Sequence, residues 1–320
     1  MKFVTNLIAM KDYMQDMCST EKLHSFCREH KLDGYEVISA GDFPSEITDD
    51  MIIGVHLPFY NAWMDLYNGR YDTLDEEYGS RECWQEFYGG DSFDIIFRTL
   101  EAELDFAQRK GAEYVVLHVC EIGTTETLTN KFVYSDEEVI YALCNVANRL
   151  LRDKNYTFCL LLENLWWKGL TFTDYSMTKL LLDNIEYSNK GIMLDTGHLM
   201  HTNKDLESWE DACVYINKML DMHSDLLPYV KGIHLHGTLE GKFAKEFCCN
   251  PPEPEKDFYR RFAQAYDYVL RVDAHKPFEH KGISEIIGKI DPNYVVFELA
   301  SDTLPEKSPL IKIQNNILGR

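Results

Sequence analysis

Seven short stretches of this chain run from apolar residues straight into a histidine or a carboxylate. They are GVHLPFY with His56, VVLHVC with His118, LLLENL with Glu163, IMLDTGH with Asp195 and His198, KGIHLHG with His234 and His236, RVDAHKP with Asp273 and His275, and VVFELA with Glu298. Six of them read as buried strands. A buried strand that stops on an ionisable group is costly unless the group meets a partner or a metal. One such ending is ordinary. A series spread over two thirds of the chain requires a fold in which strand ends converge on one polar site.

The β signals number eight: 2–9, 34–40, 51–59, 114–120, 157–164, 191–197, 230–237 and 294–300. Most are unbroken apolar runs rather than alternating ones, the mark of parallel strands covered on both faces. Helical stretches separate them. One spans about 20–31. Another begins near Ser92 and stops at Gly111, and a third opens with the capping box Ser135–Glu138. Further helices are expected near 173–184, 206–226, 256–271 and 283–290. This alternation predicts an α/β chain folded as a single (β/α)8 TIM barrel domain over 1–320, with the ionisable groups at the C-terminal ends of its strands. An open doubly wound sheet is the alternative, but KFVTNLIAMKD lacks the glycine-rich phosphate loop such sheets carry after their first strand. Insertions at about 60–91 and 238–256 follow strands and should wall or cover the site. The tail 301–320 should be a last helix or an extended arm.

Composition narrows the function. Charged residues at 27% and hydrophobic residues at 45% describe a globular chain. A net charge of −21 disfavours a phosphate-backbone binder, because that affinity comes from Lys and Arg. Nucleic acid is therefore not the expected partner. With no signal peptide, no apolar run long enough for a membrane span and nine cysteines without a CxxC pair, a cytoplasmic chain with reduced thiols is expected. It could also form a homo-oligomer.

Imidazoles and carboxylates together suit Zn, Mn, Co or Fe better than Mg or Ca. His234 and His236 are two apart on one strand and share a face. Asp195 and His198 are separated by a Thr-Gly turn, and Asp273 and His275 lie in a loop before Pro277. His24, His30, His223 and His280 fall in helical or loop contexts and are expected to be structural. His201 lies close to the site, one turn past His198.

In order, these motifs are H-x-P-[FY] at His56, V-x-H at His118, E-N at Glu163 and Asn164, L-D-T-x-H at Asp195–His198, H-L at His234, D-x-H at Asp273–His275 and F-E at Glu298. The set resembles the xylose-isomerase-like TIM barrel superfamily, which holds sugar-phosphate isomerases and epimerases together with AP endonucleases of the endonuclease IV type (AP endonuclease family 2). The endonuclease branch implies three divalent ions on His56, His118, Glu163, Asp195, His198, His234, Asp273, His275 and Glu298. The isomerase branch implies one ion on Glu163, Asp195, Glu298 and either His234 or His236, with the H-L spacing favouring His234. This chain has Gly237 where the family carries an Asp, and it lacks a glycine at Glu279 or His280. Both departures bear on the third ion position.

Two reactions follow. In the first, the ion polarises an open-chain sugar or polyol, and Glu163 and Glu298 pass a proton across a metal-stabilised enediolate. His198 or His236 would orient hydroxyls. Trp63, Trp166 and Trp167 offer flat walls for a sugar, unless they simply pack, and Lys168 offers a charge for a phosphate or carboxylate, unless it points to solvent. In the second, clustered ions hydrolyse a phosphodiester. The acidity of the chain opposes a DNA substrate and puts a sugar isomerase or epimerase with one ion first, leaving a small phosphodiester open to the hydrolase.

Overall fold

The computed structural model describes residues 1–10, 19–39 and 42–320. Eight strands form the barrel: β1 (Lys2–Ala9), β2 (Gly34–Ser39), β3 (Ile52–His56), β4 (Tyr114–His118), β5 (Cys159–Glu163), β6 (Lys190–Asp195), β7 (Val230–His234) and β8 (Tyr294–Phe297). Each pairs in parallel with its neighbours in sequence, and β8 closes the ring against β1. Ala40, at the end of the second expected strand, lies outside the described residues.

The strand ends fall where the apolar runs meet charge. His56, His118, Glu163, Asp195 and His234 are each the last residue of their strand, and Glu298 follows Phe297. Register then sets histidines beside carboxylates: His118 lies opposite Glu163, and Asp195 opposite His234.

Below this rim the barrel is filled, as its apolar strands require. Val4, Ile53, Val116, Leu161, Met193 and Val296 pack there with Tyr114 and Tyr294. The Tyr114 ring crosses the interior so closely that a Cβ on Gly54 would lie 2.2 Å from it, so that position takes no side chain. The Tyr114 hydroxyl points up and donates to Glu36 at 2.9 Å.

Helices cover the outside. Asp94–Lys110 buries Ile96, Leu100 and Leu104 and ends at Gly111, whose φ of 71° closes the last turn. Asp136–Leu151 starts with the reciprocal Ser135–Glu138 bonds. The insertion at 60–91 holds three short helices, Met64–Tyr67, Tyr71–Tyr78 and Arg81–Tyr88. The one at 238–256 is not simply a loop. It holds the helix Gly241–Cys249, and the proline cluster begins only after that helix has ended. Buried Arg261 fastens the two insertions, donating to Thr124 Oγ1 at 3.0 Å, to the Glu255 carbonyl at 2.7 Å and to the Glu77 carbonyl. The tail forms the helix Leu304–Leu318. No described helix is long and apolar enough to cross a membrane.

Candidate metal centre

The residues at the strand ends meet above the barrel interior. Glu163 is at the middle. Its Oε2 lies 3.1 Å from His56 Nε2 and 3.3 Å from His118 Nε2, while its Oε1 lies 3.1 Å from His234 Nδ1 and 3.3 Å from His198 Nδ1. One carboxylate thus divides its two oxygens between two pairs of imidazoles.

His234 Nδ1 is crowded in the same way. It lies 2.9 Å from Glu298 Oε2, 3.1 Å from Glu163 Oε1 and 3.7 Å from Asp195 Oδ2. One N–H can satisfy one of these acceptors, not three. Its other nitrogen faces Glu36, 3.1 Å away. Glu36 is buried on β2 beneath the rim and accepts from both His234 and Tyr114.

A second gathering lies to one side. His198 Nε2 is 3.3 Å from Asp273 Oδ2, and His236 Nε2 is 2.8 Å from Asp195 Oδ2. His275 Nε2 is 3.6 Å from Glu298 Oε1. The His236 and His275 rings stack 4.0 Å apart. Asp273 and His275 arrive there because the helix Phe258–Val272 ends at Asp273 and His275 adopts a left-handed φ of 44°. Such a φ on a non-glycine residue costs energy and persists only where the surroundings enforce it. On the opposite wall Gly197 is required, since a Cβ there would meet the His236 ring at 2.2 Å.

The donor chemistry fits cations. Glu163, Asp195, His234 and Glu298 offer ligand atoms mutually within 4.8 Å, as do His56, His118 and Glu163, and as do His198, His236, Asp273 and His275. Several imidazoles anchor one nitrogen outside the cluster and turn the other inward. His56 Nδ1 donates to the Leu57 carbonyl at 2.9 Å, His198 Nδ1 to the Asn164 carbonyl at 2.9 Å, and His275 Nδ1 to the Asp273 carbonyl at 2.9 Å. Metal-binding histidines are held in this way. Asp273 Oδ1, Glu298 Oε2 and His236 Nδ1 are buried without a well-formed hydrogen bond, as lone pairs awaiting a cation would be.

Without an ion, protons must neutralise this much buried charge. Burial alone would push the Glu163 carboxyl up, but the His234 and His118 imidazoles outweigh it and hold it well below the carboxylate range. Burial is likewise overcome at Glu298 by His234 and His275, and at Asp273 by His275 and His198. Burial would lower His234 and His198, yet their carboxylate neighbours raise both well above the usual imidazole value, and His275 is raised to about 10. His118 goes the other way, lowered by burial more than Glu163 raises it.

Some expected site residues lie elsewhere. Trp63 is buried, gives its Nε1–H to the Cys120 carbonyl at 2.8 Å and packs on Tyr67 and Phe93, so no face is left for a sugar. Trp167 is also buried, against Trp166. Lys168 sits in a two-stranded sheet with Cys120–Glu121 and pairs with Asp136 at 3.5 Å, so its charge is spent away from the cluster. His236 is packed within the cluster, with its Nε2 2.8 Å from Asp195 Oδ2. Of the tryptophans only Trp166 reaches the site, its ring 5.1 Å from His198 and 5.0 Å from His201. His201 lies 3.6 Å from Asp273 Oδ1. His223 and His280 lie apart from the cluster, bonded to Thr178 and Cys213. Phe59, 53% exposed, stacks on His118 with ring centroids 5.2 Å apart. Sequence reasoning missed it, although its place in H-x-P-F, three residues past His56, was the available signal.

No family model and no curated protein matches the chain. Solved structures do. Endonuclease IV from Thermus thermophilus superposes with a TM-score of 0.55 at 11% identity, over 100% of this chain and 99% of that one. A D-tagatose 3-epimerase-like protein gives 0.50 at 14% identity, over 100% and 98%. An L-ribulose 3-epimerase gives 0.50 at 11%, over 98% and 93%. At such identities the likeness is one of fold: a single (β/α)8 barrel, shared with both kinds of enzyme.

Proposed function

We propose that this chain is a metal-dependent hydrolase that binds more than one divalent ion and cleaves a phosphoester of a small molecule. The observation that carries the reading is the division of Glu163 between His56 and His118 on one oxygen and His234 on the other, while His198 Nδ1 is already given to the Asn164 carbonyl. A carboxylate so placed is suited to bridge two ions. It is poorly suited to serve as the free base of an enediolate mechanism, because neither oxygen is left for a substrate proton. The acidity of the chain alone favours isomerisation, and this geometry outweighs it. That acidity still argues against duplex DNA, and hence for a small phosphoester.

In this reading His56, His118 and Glu163 would hold one ion, and Glu163, Asp195, His234 and Glu298 a second. His198, Asp273 and His275, joined by His236, would hold a third. When bound, such ions supply electrophilic stabilisation of the phosphoryl group and acidify the attacking water. The chain's own residues do the rest. Glu36 and the Leu57, Asn164 and Asp273 carbonyls orient the imidazoles before substrate arrives. Trp166 beside His198 and Phe59 beside His118 would offer flat apolar surfaces to the substrate.

The test is turnover of bis(p-nitrophenyl) phosphate and a set of small phosphodiesters by metal-loaded protein, with Glu163→Gln as control. Loss of at least about a hundredfold in that variant supports the reading, and no turnover of any phosphoester by the loaded protein sinks it. A second reading has its own support, because Glu163, Asp195, His234 and Glu298 alone make a complete site for one ion. It is sugar isomerisation or epimerisation, and interconversion of ketohexoses by singly loaded protein would favour it.

A further inference from the structure

The helix Phe258–Val272 is apolar on two faces. Its inner face buries Phe258, Arg261, Ala265, Tyr268 and Val272. Its outer face carries Tyr259, Phe262, Tyr266 and Leu270, each 40% to 52% exposed, with exposed Ala263 among them. These positions form one stripe along the whole helix. Phe87, 39% exposed, lies 6.0 Å from the Phe262 ring and widens the patch. A contiguous exposed apolar stripe of this kind marks a contact surface.

The charges beside the stripe say what covers it. Arg260 and Asp267 are seven residues apart on the same flank, both exposed, and neither has an ion-pair partner among the described residues. In an antiparallel helix pair the same flanks of the two helices meet. An identical helix running the opposite way, centred between Ala263 and Gln264, would set Arg260 against Asp267 of the second copy, and Asp267 against its Arg260. Phe262 and Tyr266 of the two copies would then interleave, and Ala263 at the crossing would let the backbones approach. We propose that this face pairs two copies of the chain in an antiparallel, two-fold helix contact. The contact is self-complementary, as a two-fold interface must be.

A helix of 15 residues spans roughly 22 Å and covers less than the ~800 Å² per partner of a stable interface. The dimer is therefore weak and concentration-dependent. It does not depend on the metal reading, though the same helix ends at Asp273 and packs Val269 near Trp166.

Sedimentation velocity of the full chain across a concentration series tests it. The wild type should pass from monomer to dimer. Arg260→Asp and Asp267→Arg should each weaken the dimer about tenfold or more, since two ion pairs become two repulsions. The double variant should recover to within about threefold of wild type. An equimolar mixture of the two single variants should associate more tightly than either alone. Both charges are on the surface, so the fold is not at stake, and Phe262→Ser should weaken the dimer without touching charge. A wild type that stays monomeric at every concentration overturns the proposal. So does a dimer indifferent to these variants, or a double variant no better than the singles.

Discussion

Replacing Glu36 should weaken metal binding without unfolding the barrel. Glu36 touches none of the space between the ligand atoms. It accepts from His234 Nε2 at 3.1 Å and from the Tyr114 hydroxyl at 2.9 Å, and so turns His234 Nδ1 toward Glu163, Asp195 and Glu298. A hydrogen bond to a charged acceptor contributes about 1.5–3 kcal/mol. If most of that orients the ligand, its loss converts to roughly tenfold to a hundredfold in affinity, the range found when such outer partners are removed. Glu36→Ala should therefore raise by that factor the dissociation constant of the ion proposed for Glu163, Asp195, His234 and Glu298, in a chelator-competition titration with Zn(II) or Mn(II). Glu36→Gln loses the charge but keeps an acceptor oxygen at the Oε2 position, which His234 Nε2 and the Tyr114 hydroxyl share. It should recover most of the affinity. An alanine variant that binds as tightly as wild type would show that Glu36 does not orient His234. So would a glutamine variant as impaired as alanine, because that would assign the effect to packing.

The remaining expectations follow from the same geometry. Gly197→Ala places a methyl against the His236 ring and should cost about 1–3 kcal/mol of stability, read as a lower urea midpoint. Metal loading should release protons, since His234, His198 and His275 are held protonated around neutrality without an ion. Calorimetric heats should then vary with the buffer's ionisation enthalpy, and affinity should rise with pH. Identical heats in phosphate and Tris would contradict this. Lys307 is buried, and burial lowers it to about 7 from 10.5 in spite of Glu298. Between those values the unfolded chain keeps a proton that the folded chain has lost, so stability should rise with pH there. From about pH 7 to 9 the rise is up to about 2.7 kcal/mol. Lys307→Met should flatten that part of the urea-midpoint profile, and an unchanged slope would count against the buried amine.

The barrel and its ring of groups were legible because both rest on one local signal, an apolar run that stops on charge. His56, His118, Glu163, Asp195 and His234 end their strands for that reason. Glu36 escaped notice because GYEVIS shows one carboxylate within a strand, and the residue string does not say which face of β2 points into the barrel. Trp63 and Trp167 misled for a related reason. Aromatic residues next to strand ends suit a substrate wall or a packed core equally well, and the Cys120 carbonyl that holds Trp63 is distant in sequence. The helix Gly241–Cys249 was hidden by the prolines that follow it. The placement of His236 against His275 depends on an unusual backbone angle at His275, which no residue pattern announces.

In the proposed hydrolase Glu163 would lie between two ions. Anomalous diffraction from crystals of metal-loaded protein, with data on both sides of the absorption edge, measures that directly. At least two peaks are expected, one toward His56 and His118 and one toward Asp195, His234 and Glu298. A single peak among Glu163, Asp195, His234 and Glu298 at saturating metal would contradict it.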